Sequence, residues 1–338
     1  MARYAHCAPP LTIGQALELL YYMKVFKHWR GLPAAARGAS VALGNFDGVH
    51  LGHAGVVRAA HAARPDVPRA VLTFEPHPRE FFRPQDPPFR LTLSAERAAA
   101  LAALGVEYLY ELPFTPEFSH LTAEQFITEI LADGLNAAHL ACGADFAFGH
   151  RRGGDVSLLA TQAESLGMGL TLVPPVSDSQ GPISSTRIRR LLQDGYPERA
   201  AQLLGHPHTI RGIVAHGDQR GRTIGFPTAN IPLGRHLEPA RGVYAITARL
   251  PDGTAQNGVA NIGLRPTVGG TQSRLEAHLF DYSGDLYDAD LTISLHHFIR
   301  EEQKFPSFDA LKAQIAQDAA AARALLDSKP NPANPLTP

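Results

Sequence analysis

The sequence is short of the residues that would commit it to several large classes of protein. Two cysteines in 338 residues, Cys7 and Cys142, exclude a disulfide framework and a thiolate zinc site, and they suit a reducing cytoplasm. Charged residues make up only 19% and almost cancel, to a formal net charge of -1. No basic block is present to neutralise a nucleic-acid backbone. Long apolar runs are missing too. The stretch LTIGQALELLYY, 11–22, is too short to span a bilayer, carries Glu18 and lacks the form of a signal sequence. A cytoplasmic protein with neither a nucleic-acid nor a membrane partner is therefore expected. What is plentiful is apolar material, 44% of the chain, enough for the cores of about two domains at this length. The sixteen histidines are scattered rather than set at metal-ligand spacing.

The texture of the chain changes once, near residue 205. Before it, strand-like runs at 40–46, 70–74, 108–112, 139–143 and 170–173 alternate with helical stretches at 54–64, 94–104, 122–133 and 155–166. Ser94 and Thr122 stand where N-caps belong. Such alternation predicts a parallel sheet wrapped by helices, with ligands at the carboxyl ends of its strands. After it, runs rich in Val, Ile and Thr at 208–215, 242–250, 256–262, 274–280 and 290–299 are separated by turns such as PDG and SGD. They predict an antiparallel β-barrel closed by one amphipathic helix over 307–326. The proline-rich tail at 328–338, PNPANPLTP at its end, is expected to be disordered.

The run GNFDGVHLGH, 44–53, follows an apolar strand and leads into a helix, with three glycines and two histidines in ten residues. A turn needs the glycines but has no use for the histidines. His50 and His53 are three apart at a helix start, where unpaired N–H groups and the local dipole favour an anion. Gly52 lets the backbone approach closely. Two imidazoles there would steady charge on phosphate oxygens during transfer. Far downstream, ISSTRIRRLLQDG, 183–195, reads as a helix capped by Ser184 or Ser185 and stopped by Gly195. Its start offers three hydroxyls and Arg187 or Arg189. Either stretch alone suits a plain turn or a capped surface helix; together they suggest two phosphate-binding helix starts at one sheet edge.

With these motifs the chain resembles, from about Met23 to about Asp318, the bacterial bifunctional riboflavin kinase/FAD synthetases. The resemblance implies a Rossmann-like nucleotidyltransferase domain of the HxGH type, here 23–200, and a riboflavin kinase β-barrel with its C-terminal helix, here 205–327. It leaves 1–22 without a counterpart, open to three readings: an upstream start, an extension or a disordered arm. GNFDGVHLGH and ISSTRIR carry the nucleotidyltransferase signature, which puts Gly44, Asn45, Phe46, Asp47, Gly52, Ser184, Ser185 and Thr186 against the nucleotide. His50, His53 and Arg189 are the catalytic expectations, with Ser185 beside them on the triphosphate. VLTFEPHP (71–78) and GADFAFGHRRGGD (143–155) look like the family's flavin-side and nucleotide-side loops, so Phe74, Pro76 and His77 are expected near flavin. Asp145 is expected near the flavin or ribose, where the bare sequence equally allows a turn residue after a strand. In this half the FMN phosphate would attack the α-phosphorus of ATP and expel pyrophosphate. A phosphate is already an anion, so the step needs alignment and charge stabilisation but no general base.

IRGIVAHGDQRGRTIGFPTANI, 210–231, looks like the family's riboflavin kinase signature. Its glycines, Gly212, Gly217, Gly221 and Gly225, would bring backbone N–H groups, with Arg222, against ATP phosphates. The Thr228 hydroxyl and the Asn230 side-chain oxygen are hard ligands suited to Mg²⁺. The loop is not a Walker A, since Gly-Lys-Ser/Thr is absent. Here the nucleophile is a neutral ribityl hydroxyl, so a carboxylate should accept its proton. Glu276 matches the family's catalytic glutamate; without the resemblance it would read as a strand carboxylate paired with Arg274. Arg300, in FIREEQKF, matches a flavin-side segment. ATP is thus co-substrate at both sites, with riboflavin and FMN as acceptors. One departure is Asp288, which stands in DLYDADL where the family has glycine; Asp tolerates a positive φ better than most residues. Two other readings compete: a single-activity nucleotidyltransferase acting on another phosphorylated substrate, and a decayed flavin-binding module. The intact PTAN loop and Glu276 speak against the first, and the presence of His50, His53, Thr228 and Glu276 together speaks against the second.

Overall fold

In a computed structural model, which describes residues 23–216, 226–267 and 270–328, the buried runs of the first half become parallel strands. β2 (Ser40–Leu43), β3 (Arg69–Glu75), β4 (Tyr108–Pro113), β5 (His139–Gly143) and β6 (Gly169–Val173) fall where expected. A further strand, β1 (Lys24–Phe26), adds to the edge by pairing with β4. Three residues with Val25 half exposed leave no buried run by which to find it in the sequence. The sheet order is β1-β4-β3-β2-β5-β6. Strand progression reverses between β2 and β5, so the carboxyl end of β2 is the switch point at which such sheets bind ligands. GNFDGVHLGH leaves β2 at that end and enters the helix Leu51–Ala63.

Two helix expectations change in detail. Thr122 caps its helix in a reciprocal box with Gln125, but only Ala123–Gln125 is α-helical; Phe126–Gly134 widens into a π-helix. Ser94 is the first residue of the helix Ser94–Ala103, and its hydroxyl donates to Glu111 at 2.7 and 2.8 Å. Ser184 caps the helix Ser185–Gln193, accepting from the Arg187 N–H, and Gly195 follows with φ 79°.

The second half is a six-stranded antiparallel sheet, β10 (Ala229–Pro232), β13 (Gly270–Leu279), β12 (Ala255–Thr267), β11 (Gly242–Arg249), β14 (Asp290–Glu301) and β9 (His208–Ile213), in that order. The Ala215 N–H donates to Asn230 O at 2.8 Å and nearly closes the barrel between its first and last strands. Gly212 sits in β9, where a Cβ would lie 2.8 Å from the Ile231 side chain. It permits this close strand approach rather than loosening a loop. β10 is the strand the sequence hides, because PTANI follows a glycine-rich loop and is short. Inside, Tyr244, Ile246, Ile262, Leu275 and Leu295 make the core. On the other face the helix Phe308–Asp327 covers Val243, Ala245, Val259 and Phe280.

Contacts group the described residues into two units. One holds the chain up to Phe46 with His53–Pro84 and Ser94–Pro175; the other holds Asp47–Gly52, Gln85–Leu93 and the chain from Val176. The expected extension at 1–22, the tail from 329, and Gly217, Gly221, Arg222 and Gly225 lie outside the described residues.

Candidate functional site

The loop after β2 is built around a buried carboxylate. Asp47 is 2% exposed and accepts the main-chain N–H groups of Leu91 (2.9 Å) and Thr92 (3.0 Å). Arg189 donates to it at 2.5 Å, and the fully buried Arg90 stands 3.7 Å away. Burial alone would push the Asp47 carboxyl up. The charges of Arg189 and Arg90, with the Thr92 N–H, outweigh it and hold the group below the usual carboxylate value. Arg189 also donates to Phe89 O at 2.8 Å and lies over the Phe89 ring. Three segments far apart in sequence are thus locked by one anion.

The serine-rich helix start meets the same loop. Ser185 donates its hydroxyl to Asp47 O at 2.9 Å. Thr186 is exposed and Ser184 is the cap. Arg187 is held by Asp178, at 2.8 and 2.6 Å, on the hairpin β7 (Ser177–Asp178) and β8 (Gly181–Pro182). Of the two arginines left open by the sequence, Arg189 is therefore the one facing the loop. His50, ahead of the helix, is buried, and desolvation pushes its imidazole down to about 4, with Asp47 pulling up and Arg189 pushing down. Near pH 7 it is a neutral ring with one N–H donor. A Cβ on Gly52 would lie 3.0 Å from that ring and 3.5 Å from Ile183 O. The glycine thus makes room for the site's own imidazole and helix start, where the sequence suggested room for a ligand. His53 is half-buried on the first turn, its ring 5.2 Å from that of Phe46.

A second buried arginine, which no motif announces, supports the remaining expected groups. Arg97 is completely buried and donates to Glu111 (2.7 Å), Glu75 (2.9 Å) and Phe74 O (3.1 Å). Its other nitrogen reaches Asn45 O at 3.4 Å, which also accepts from Thr73 at 3.0 Å. Asn45 and Phe74, expected on the nucleotide and the flavin respectively, hang from one guanidinium. Phe74 packs among Phe114, Phe118 and Phe126. Beyond Pro76, His77 caps a short helix through the Arg79 N–H, 3.0 Å from its Nδ1. Asp145 is exposed just past β5, against Gly143.

In the barrel, Asn230 on β10 lies directly opposite Glu276 on β13. Arg274 donates to Asn230 Oδ1 at 2.8 Å and to Glu276 Oε1 at 3.3 Å. The Asn230 amide nitrogen donates to Thr228 O at 3.4 Å, which aims its oxygen at the arginine. The Arg274–Glu276 pair that the bare sequence suggested is therefore present, in register with the metal-ligand candidate. Arg300 is bound in a fork by Asp318 of the C-terminal helix and lies over Phe305. Asp288 has φ 61°, the left-handed turn its position demanded.

Comparison with known proteins matches both halves. A family model for FAD synthetase fits residues 32–187, and one for riboflavin kinase fits 204–326. The bifunctional riboflavin kinase/FMN adenylyltransferase of Escherichia coli K12 is 42% identical over 304 residues, 89% of this chain and 97% of its own. Those of Pseudomonas fluorescens (42%, covering 90% and 98%) and Bacillus subtilis (39%, covering 82% and 89%) are similar. A solved structure described as a macrolide-efflux protein from Streptococcus pneumoniae superposes with a TM-score of 0.79 at 35% identity, over 89% of this chain and 99% of that one. Among the described residues of this chain no helix is long and apolar enough to cross a membrane.

Proposed function

Because the chain belongs to the bifunctional riboflavin kinase/FMN adenylyltransferases, we propose that its two activities divide between 23–200 and 205–327, with the residues above in distinct roles. Riboflavin is phosphorylated to FMN, and FMN is adenylylated to FAD, with ATP as the donor each time. The observation that carries the division is the contrast in site chemistry. The loop after β2 ties its carboxylate, Asp47, to Arg189 and two main-chain N–H groups, whereas the barrel sets a carboxylate beside an amide oxygen.

For adenylyl transfer, the FMN phosphate displaces pyrophosphate from the α-phosphorus of ATP. The phosphate arrives deprotonated, so the residues orient and stabilise rather than accept a proton. We assign His50, His53 and the Ser185–Arg189 helix start to the triphosphate, and Gly44, Asn45, Phe46, Asp47, Gly52, Ser184 and Thr186 to the nucleotide. Phe74, Pro76, His77 and Asp145 fall to the flavin side. For phosphorylation, Glu276 takes the proton from the ribityl hydroxyl as that oxygen attacks the γ-phosphorus and ADP leaves. Arg300, fixed by Asp318, falls to the flavin side. The Thr228 hydroxyl and the Asn230 oxygen fit Mg²⁺, which takes few protein ligands and hard oxygens. When bound, the metal neutralises charge on the transferring phosphate. The cysteine-poor composition supports a cytoplasmic location.

The test is a flavin time course with purified protein, riboflavin, ATP and Mg²⁺. FMN should appear first and FAD after it. Glu276→Ala should lose FMN formation and keep FMN-to-FAD conversion, and His53→Ala should do the reverse. Loss of both activities in either folded variant would overturn the division.

A further inference from the structure

The kinase site contains a cation of its own. We propose that Arg274 is a displaceable stand-in for the metal. It holds the Asn230 oxygen and the Glu276 carboxylate, and it yields both when the divalent cation and nucleotide bind. This inference rests on the kinase reading given above.

The register brings the three side chains within reach of one another. Asn230 pairs with Glu276 across β10 and β13, and Arg274 lies two residues along β13, on the same face as Glu276. One guanidinium, a donor with no acceptor, spans both oxygens at 2.8 and 3.3 Å. The reaction needs both differently. A proton acceptor needs its lone pair, and Mg²⁺ sits about 2.0–2.1 Å from each oxygen it ligates. A metal on Asn230 Oδ1 would stand within about 5 Å of the Arg274 nitrogen that now holds that atom. At that range a dication and a guanidinium repel strongly, even in a solvated pocket. The pair is also shallow. Arg274 is 19% and Glu276 40% exposed in their side chains, a setting in which ion pairs contribute little. Its long aliphatic stem lets the head swing out to water. A metal carried in with nucleotide phosphates therefore meets weak resistance, and the arginine it expels gives up Glu276 Oε1 together with the Asn230 oxygen.

The test is Mn²⁺ binding to the full-length chain, read by electron paramagnetic resonance in the presence of ADP and riboflavin. The share of binding lost in Asn230→Ala reports the barrel site alone. Arg274→Met should tighten that share by about tenfold, Arg274→Lys should fall between it and wild type, and Asn230→Ala with Arg274→Met should show no gain. The Mg²⁺ concentration for half-maximal FMN formation should fall in Arg274→Met by more than kcat changes. If Arg274→Met binds Mn²⁺ no tighter than wild type, or more weakly, while Asn230→Ala still loses binding, Arg274 is not a competitor and the proposal is wrong. If Asn230→Ala leaves Mn²⁺ binding untouched, the metal assignment itself fails.

Discussion

The two ion clusters of this chain solve opposite problems. Around Asp47 the carboxylate is 2% exposed and its partner Arg189 15%, with the buried Arg90 and two main-chain N–H groups completing the shell. Around Glu276 a single guanidinium bridges an amide and a carboxylate, with 19% and 40% of the two charged side chains open to water. A deep cluster fixes geometry but cannot rearrange, because each charge stripped of its partner is stranded in a low-dielectric interior. A shallow one holds geometry loosely and releases it readily. Adenylyl transfer needs only aligned, static charge, whereas phosphorylation of a neutral hydroxyl needs a carboxylate and an oxygen ligand that become available on demand. The depth of each cluster matches the chemistry proposed beside it.

The contrast breaks most visibly at Asp47. Asp47→Asn keeps the shape but takes away the buried anion that Arg189 and Arg90 flank. Removing one partner of a buried pair typically destabilises by about 3–5 kcal/mol, so urea unfolding should shift to markedly lower denaturant. A variant within about 0.5 kcal/mol of wild type, the range of ordinary surface changes, would mean that the cluster is not the clamp described. FMN-to-FAD conversion should fall with it, since Ser185 and Arg189 are both tied to this residue.

How much of this was legible in the sequence follows the range of the interactions. The strand runs, the glycine turn after β2, the Ser184 cap and the left-handed turn at Asp288 are local, and spacing or residue type announces each. The pairing of Asp47 with Arg189 joins residues 142 apart, and nothing in either neighbourhood foretells it. Arg97 is harder still. It sits in an alanine-rich helix that looks solvent-facing, yet it is wholly buried because Glu111, Glu75 and the Phe74 carbonyl await it. The widening of the helix at Phe126–Gly134 likewise depends on packing, with Gly134 pressed against Trp29. The motifs single out candidate residues, but not which of them are tied to one another.

Acid should distinguish the deep region next. His50 is pushed down to about 4 and His208 to about 3, in both cases chiefly by burial, with His236 and His206 adding to the push on His208. Unfolded histidines titrate near 6.5. Above that value both states are neutral and these rings do not affect stability. Below it the unfolded chain takes up protons that the folded chain refuses, so stability falls as pH drops towards 4. The loss is up to about 2 kcal/mol per histidine by pH 5. Asp47 does not contribute in this window. Its depressed carboxyl stabilises the fold above the ordinary carboxylate value, and that contribution is lost only as pH falls further. Whatever His208→Gln does to absolute stability, it should reduce the slope of unfolding free energy against pH between 6.5 and 5 by up to about 1.4 kcal/mol per pH unit. The part carried by His50, His139, His206 and His296, which burial also lowers, should remain. An unchanged slope would show that His208 takes up its proton in the folded chain.

The smallest effect is the sharpest check on the comparison. Arg274→Met removes an ion pair and a hydrogen bond at once, yet the carboxylate of that pair is open to water, unlike Asp47. Glu276, at 40% exposed, keeps its hydration when the arginine leaves, and the Asn230 oxygen sits on a strand still paired to β13. Exposed pairs of this kind contribute about 0.2–1 kcal/mol, and the methionine stem retains most of the apolar cover of the arginine. The thermal unfolding midpoint should therefore move by only a few degrees, about 2–4 °C per kcal/mol for a domain of 150–250 residues. A loss as large as that of Asp47→Asn would mean the pair near Glu276 is structural and cannot be surrendered during the reaction. A near-silent variant would leave the two clusters as different in energy as they are in depth.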